Sequence, residues 1–573
     1  MFHPRPSTGL LKFGVAALFG AALVAARPGV DARQSAGTFV LSVVGTNDLH
    51  GGVFARNNRG GLEWLGGYLK NLRAARTRDG GAVVLVDAGD MFQGTRESNL
   101  NEGAVVVAAY NALGYSAAAI GNHEFDFGPV GPAPTPVRPT DDARGALKTR
   151  ASEARFPFLA ANIIDDATGR PVAWPNVVPS TVVDASGLGV GIVGVVTRVA
   201  LSATIAANTH GLHVAPLAST IAAEAEKLRR NGARIVVAVA HAGGQCRRFD
   251  DPMDASACDT NASEIAEVAR QIPRGLVDVL IAGHTHAGMA HEVAGIRIAE
   301  AYSGGRAFGR VDLTIDRTTK DVLSKKSFAP QDLVAGTYEG APVVRDAAIT
   351  RVLAPAVAAA RDLKARPIPI VLDGPIRRAG TPESPLGNLF TDAFLSAVPG
   401  ADVAINNTSG GLRTDLPVGP LTYGRLFEVF PFDNKLVHFE LPASALRRAF
   451  AAQLRRSRPL PGVAGVEVEA ACSADTLVVT LRRPSGAVIG DNEVLSVVTT
   501  DFLIQGGDAL FTSIEPPGRF DVTDDGLIAR DVVAAWLTRR GGRLSEAQLA
   551  PQGMRRWVYP GSLPVTCGPR ATP

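Results

Sequence analysis

Seven short apolar runs, rich in valine, isoleucine and alanine, recur through the first half of the chain. They are FVLSVVG (39–45), AVVLVDA (82–88), SAAAI (116–120), FPFLAA (156–161), VGIVGVV (190–196), RIVVAVA (234–240) and VDVLIA (277–282). A strand that is apolar at nearly every position is buried on both faces, as in a sheet covered by other layers. Polar, helical or irregular segments separate the runs, and STIAAEAEKLRRN (219–231) carries the helical spacing. The pattern predicts a layered α/β or α/β/β domain.

At 573 residues the chain exceeds one ordinary core, so two or more domains are expected. A helical run, RDAAITRVLAPAVAAARDLKAR, follows Val344 with a single proline at 355 and reads as a linker helix, 343–366. It divides a first domain, 35–342, from a second α/β domain, 367–573, with strands such as ADVAINN, KLVHFELP and TLVVTLRR. The Pro-rich stretch 128–144 has no periodicity and reads as a surface loop over one end of the sheet. Residues 1–34 read as an export signal: Arg5 and Lys12 precede an apolar run, 13–26, too short to span a bilayer comfortably. Cleavage fits after Ala26 or after Ala32, and the mature chain would be periplasmic or extracellular with no stable membrane span. Four cysteines suit export, and of the three connectivities the local one is favoured, Cys246–Cys258 and Cys472–Cys567. A net charge of only +3 gives no argument for a nucleic-acid polymer or an anionic membrane.

The runs end in chemistry. Five polar clusters lie at or just past apolar strands: Asp48-Leu49-His50-Gly51, Gly89-Asp90, Gly121-Asn122-His123-Glu124, His241-Ala242-Gly243-Gly244 and Gly283-His284-Thr285-His286. Ligands of open α/β sheets gather outside the carboxyl ends of the strands, so the five ends would converge. They hold five of the ten histidines. Asp-x-His or Gly-His-x-His alone is more often structural; the ordered set of five is specific. Imidazole, carboxylate and one amide oxygen, with no thiolate, suit zinc, manganese or ferrous iron. Seven groups, Asp48, His50, Asp90, Asn122, His241, His284 and His286, are too many for one tetrahedral ion but fit two ions sharing a bridging carboxylate. Two such ions clamp a phosphoryl group and supply a hydroxide nucleophile at neutral pH. The i, i+2 spacing of Asp48/His50 and of His284/His286 would turn both members of each pair to one side of an extended strand end.

This set resembles the calcineurin-like metallophosphoesterases, specifically the secreted 5′-nucleotidases that include bacterial UDP-sugar hydrolases and animal ecto-5′-nucleotidases, over nearly all of the mature chain. The resemblance implies a four-layered α/β/β/α catalytic domain, a linker helix and a C-terminal substrate-binding domain, with two divalent ions (Zn, Mn or similar). It implies that Asp48, His50 and His286 hold one ion, that Asn122, His241 and His284 hold the other, and that Asp90 bridges. His123 and Asp126 match the family's catalytic dyad. A carboxylate beside His123 would keep it charged near two dications, to stabilise the phosphoryl oxygens or protonate the leaving group. Glu124 is read as structural or as a support to the ligands.

In the second half, GNLFTDAF (387–394), SGGLRTDLP (409–417), FEVFPFDNKLV (427–437) and DFLIQGGDALF (501–511) resemble the family's substrate-site blocks. Carried over by position, Phe432 and Phe502 would sandwich a nucleobase. Asn434 would reach a base edge, Asp508 would accept ribose hydroxyls and Arg413 would grip the phosphate. Two positions depart from the family pattern: Pro382 stands where many members carry an arginine, and Thr408 where many carry asparagine. Arg377 or Arg378 is a candidate replacement for the missing cation. The expected activity is hydrolysis of 5′-nucleotides. Alternatives are a 2′,3′-cyclic-nucleotide phosphodiesterase with 3′-nucleotidase activity, a nucleotide-sugar hydrolase, and a non-catalytic nucleotide-binding or adhesion protein. A thiosulfate-processing branch shares the metal motifs, but the Phe432/Phe502 pair argues for a base. The sequence leaves monomer and dimer both open.

Overall fold

The computed structural model describes residues 37–131, 133–259, 263–380, 383–514, 520–551 and 555–567. The expected export signal and Pro382 lie outside them.

All seven apolar runs contain strands, in two sheets that pack face to face. One sheet has seven strands, ordered Val322–Asp332, Ala307–Asp316, Thr38–Thr46, Ala82–Asp87, Ala117–Ala119, Phe158–Leu159 and Val177–Val178. The other has six, ordered Gly288–Val293, Ile296–Ala301, Val279–Ala282, Ile235–His241, Gly189–Val196 and Ser180–Asp184. Alternation along each strand divides its residues between two cores. Val43, Val84 and Val86 of the first sheet meet Ile192, Val237 and Ile281 of the second in one shared core. Their neighbours Val44 and Leu85 face the helices Leu62–Asp79 and Ala104–Leu113. Val236, Ala238 and Leu280 face the helices Leu217–Arg230 and Glu264–Gln271 on the far side. The result is the four layers α/β/β/α. The sheets press so closely at Gly45 that a Cβ there would lie 2.3 Å from a methyl of Ile281.

Three runs form shorter strands than their apolar composition suggests: 117–119 within 116–120, 158–159 within 156–161 and 279–282 within 277–282. Of the four strands between Gly288 and Asp332, Gly288–Val293 and Val322–Asp332 form sheet edges, whereas Ile296–Ala301 and Ala307–Asp316 lie one position in.

The helix Ala347–Ala365 starts at Asp346, whose carboxylate caps the N–H groups of Ala348 and Ile349. Pro355 lies within it and removes one intrahelical hydrogen bond. Ile349, Leu353 and Ala356 pack into the first domain's core, while Leu363 packs on the second's, so one helix anchors in both. The second domain is built on a five-stranded sheet ordered Gly462–Ala464, Val403–Asn406, Val494–Thr500, Lys435–Pro442 and Thr523–Ile528. The helix Pro385–Ala397 covers one face and Ala443–Leu454 the other. Cys246–Cys258 and Cys472–Cys567 are both bonded. Among the described residues no helix is long and apolar enough to cross a membrane.

Candidate metal-binding active site

The five polar clusters meet at the carboxyl ends of the central strands, facing the second domain. Two groups of ligand atoms form there, Asp48–His50–His286 and Asp90–His241–His284, each with its atoms within 4.8 Å of one another. Asn122 joins the second group, its Oδ1 lying 3.0 Å from His241 Nε2. Asp90 Oδ2 stands between the groups, 3.2 Å from His241 Nε2 and 3.8 Å from His50 Nε2.

The pairs converge by a different route from strand alternation. Asp48, His50, Asp90, His284 and His286 all have positive φ, between 48° and 78°. A non-glycine residue in that region is uncommon, and clusters of them mark sites where neighbouring contacts dictate the backbone. The strands end at Thr46 and Ala282, before the ligands begin, so the ligands sit on left-handed turns. That is a correction to the extended-strand expectation.

The donor chemistry fits divalent cations. Asp48 Oδ2 accepts from Asn47 Nδ2 at 2.7 Å and from the His284 N–H at 2.8 Å, whereas Asp48 Oδ1 is buried without a hydrogen-bond partner. His50 donates Nδ1–H to Gln93 O (2.9 Å) and His241 donates Nδ1–H to Ala88 O (2.8 Å), which aims each Nε2 inward. Burial opposes charge on His241, but the Asp90 carboxylate outweighs it and raises its pKa to about 10, so a cation bound there would take the place of the proton on Nε2. His50 Nε2 and His286 Nε2 face each other at 3.0 Å, and His284 Nδ1 lies 3.2 Å from His241 Nε2. Imidazole nitrogens and a carboxylate oxygen crowded this closely suit divalent cations among them. Burial, with the charge of His241, holds His284 down to about 4, and burial, with Arg413, keeps His50 well below its ordinary value, which favours neutral imidazoles able to bind a cation. Burial would raise Asp48, but the attraction of His286, whose Nε2 lies 3.4 Å from Oδ1, and of His241 outweighs it and brings Asp48 down to about 2.

His123 sits one residue past Asn122 on a short 3₁₀ turn. Its Nδ1 meets Asp126 Oδ2 at 2.6 Å, and Asp126 Oδ1 accepts from the Thr204 hydroxyl at 2.7 Å. Burial opposes charge on His123, but the Asp126 and Asp90 carboxylates outweigh it and raise its pKa. The opposite ring nitrogen, Nε2, lies 3.2 Å from an Arg413 guanidinium nitrogen of the second domain. Arg413 stacks 5.1 Å above the Phe432 ring, which tilts 5.9 Å from His123. Two side chains of the first domain, Gln93 and Asn99, donate to Pro431 O at 3.1 Å and hold the Phe432 segment against the metal side.

These groups line one cleft of about 1360 Å³, along with Phe502, Asn434 and Asp508. Asn434 donates to Asp501 Oδ1 at 3.0 Å, and Asp508 accepts from Asn407 at 2.7 Å. Thr408 turns its hydroxyl to Leu460 O, away from the cleft, and the lining amide is Asn407, one position earlier. Neither replacement arginine reaches the cleft. Arg377 pairs with Glu546, and Arg378 donates to Leu412 O at 3.1 Å behind Arg413. Sequence reasoning passed over Asn407, Gln93, Thr204 and Asp501; only Asn407, beside an expected contact, carried a usable signal.

Residues 41–288 match the family model of calcineurin-like phosphoesterases, and residues 360–515 match that of the 5′-nucleotidase C-terminal domain. The endonuclease YhcR of Bacillus subtilis is 26% identical over 465 residues, covering 76% of this chain; the match spans only 35% of that relative's length. A 5′-nucleotidase of Diplobatis ommata is 25% identical over 530 residues, 84% of each chain. The fold is that of the 5′-nucleotidase precursor of Thermus thermophilus, with a TM-score of 0.70 at 23% identity over 91% of this chain and 100% of that one. The chain belongs to the 5′-nucleotidase family of calcineurin-like metallophosphoesterases and is a metal-dependent phosphoester hydrolase.

Proposed function

We propose that the protein removes phosphate from 5′-nucleotides using two divalent cations, one held by Asp48, His50 and His286, the other by Asn122, His241 and His284, with Asp90 between them. The observation that carries this reading is the 3.2 Å approach of Arg413 to His123 Nε2 beside the ligand groups. Two donor tips from different domains meet where a phosphoryl oxygen would accept from both. Two cations there would polarise the phosphoryl group and lower the pKa of water. Asp126 holds the His123 ring by Nδ1 and favours its charged form, so Nε2–H is aimed at the developing negative charge or the leaving oxygen. Arg413, backed by Phe432, orients the phosphate. Phe432 and Phe502 would stack the base, Asn434 would meet its edge and Asp508 would take the ribose hydroxyls. The same reading keeps the divisions 1–34, 35–342, 343–366 and 367–573, with the mature chain exported.

A second reading, cleavage of cyclic or diester phosphates or of nucleotide sugars, is favoured by one observation. Arg413 reaches His123, whereas Arg377 and Arg378 are engaged elsewhere and Arg456, Arg458 and Arg530 line other parts of the cleft. A diester carries one negative charge fewer than a dianionic monoester and needs fewer cations to hold it. A phosphate-release panel decides: AMP, ATP, a nucleotide sugar, 2′,3′-cyclic AMP and bis-aryl phosphate, before and after EDTA and with Mn²⁺ or Zn²⁺ restored. AMP turnover should lead, vanish on chelation and return with metal. Full activity after exhaustive chelation would sink the metal mechanism, and faster diester cleavage would install the second reading.

A further inference from the structure

Glu300 is the penultimate residue of the strand Ile296–Ala301, 1% exposed, and no cationic side chain pairs with it among the described residues. Its two oxygens reach two loops. Oε2 accepts from the Gly244 N–H at 3.0 Å, and Oε1 lies 2.5 Å from the Thr285 hydroxyl. The same hydroxyl lies 2.8 Å from Gly244 O. One loop follows His241; the other carries His284 and His286.

We propose that Glu300 is a positioning residue that clasps these two histidine loops together and so sets the spacing of their imidazoles. The inference rests on the ligand assignment above. The loops are pressed together at the clasp: a Cβ on Gly243 would come within 2.3 Å of Gly283 O, 2.7 Å of the Thr285 hydroxyl and 2.8 Å of Glu300 Oε1. The strands before the two loops pair in parallel as far as Ala240 and Ala282, and the Gly283 N–H reaches Ala242 O at 3.4 Å; the side-chain ring fixes the loops beyond that point.

Counting protons defines the clasp's form. The Thr285 hydroxyl has one proton and two oxygen neighbours. If it donates to Gly244 O, Glu300 must donate to it, which requires a neutral carboxylic acid with its proton on Oε1. The ring then closes without a missing or surplus hydrogen: Glu300 O–H to Thr285, Thr285 O–H to Gly244 O, Gly244 N–H to Glu300 Oε2. Burial, with the nearby Asp48 charge, pushes the pKa of Glu300 well up, in the same sense. A glutamine amide reproduces every bond of the ring, and a leucine reproduces none.

The test uses the full chain stripped with EDTA and titrated calorimetrically with Mn²⁺, with far-UV circular dichroism confirming the fold. Glu300→Leu should raise the Mn²⁺ dissociation constant roughly 10- to 100-fold, as loss of a support to metal ligands does. Glu300→Gln should restore the wild-type constant. Thr285→Val, which opens the ring without altering the strand, should shift the constant as Glu300→Leu does and covers the case in which that variant fails to fold. Glu300→Leu and Thr285→Val both binding as wild type would overturn the clasp. Glu300→Gln binding as poorly as Glu300→Leu would also overturn it, by showing that charge is what matters. Wild type binding no Mn²⁺ would instead overturn the ligand assignment, and the clasp with it.

Discussion

Replacing Glu124 by glutamine should cost more stability than its conservative appearance suggests. The side chain is 1% exposed and sits between the loop of Asp90 and the turn of Asn122 and His123. Its Oε2 accepts from the N–H groups of Gly121 (2.8 Å) and Asp90 (2.9 Å), and its Oε1 from those of Met91 (2.6 Å) and Phe92 (3.3 Å). Burial and the neighbouring Asp90 charge push its pKa up to about 8, which favours the neutral acid. The donors argue the other way: four N–H groups occupy both oxygens, and a carboxyl proton would face one of them. We take the donor count as decisive, so the native form is the carboxylate. In Glu124→Gln one oxygen becomes an NH₂ pointing at two N–H donors, and two bonds to a charged acceptor are lost. At about 1.5–3 kcal/mol each, the loss is about 3–6 kcal/mol. Urea unfolding of the EDTA-treated protein at pH 7, followed through the first domain's transition, measures it. A change within about 0.5 kcal/mol, the scatter of an uninvolved surface substitution, would refute the reasoning and mean that Glu124 is protonated in the native state.

Three further outcomes are expected. Arg413→Ala should lower kcat/KM for AMP about 10- to 100-fold, the worth of a charge-assisted phosphate contact, with bound metal unchanged; undiminished turnover would remove Arg413 from the site. Phe502→Ala should raise KM for AMP far more than for a small aryl phosphate, and equal effects on both would deny base stacking. Asp501, held at about 6 by burial, binds its proton more tightly folded than unfolded. Its contribution is therefore fully present below about pH 4 and lost as pH rises through 6, about 3 kcal/mol in all. Asp501→Asn should flatten the melting temperature between pH 4 and 7 relative to wild type, and parallel curves would show that Asp501 is not the titrating group.

The layers were legible because burial on both faces leaves a compositional trace: the strand Ile235–His241 is apolar at every position before its last residue, His241, and is buried along its whole length. The convergence of the polar clusters followed from where parallel strands end. The conformation that aims the ligands was not legible. Asp48 and His50 point together because each has left-handed φ, imposed by contacts with the loop of Asp90: the Asp48 N–H bonds Gly89 O and the His50 N–H bonds Asp90 O, both at 2.9 Å. No residue near position 48 encodes that pairing; it arises some forty residues away.

Glu124 and Glu300 were obscure for the same reason, carried further. Each is a carboxyl group whose partners are backbone N–H and hydroxyl groups of other loops, and a sequence shows side chains but not where backbone donors gather. The two differ in a way that only geometry reveals. Glu124 meets four N–H donors, which favour a carboxylate, whereas Glu300 meets the backbone N–H groups of Gly244 and Thr285 and a hydroxyl that also faces Gly244 O, an arrangement that closes when Glu300 carries a proton. The same substitution therefore has opposite consequences at the two positions. Glutamine should break the Glu124 clasp and preserve the Glu300 clasp, although both residues are glutamates buried to the same degree around one candidate site.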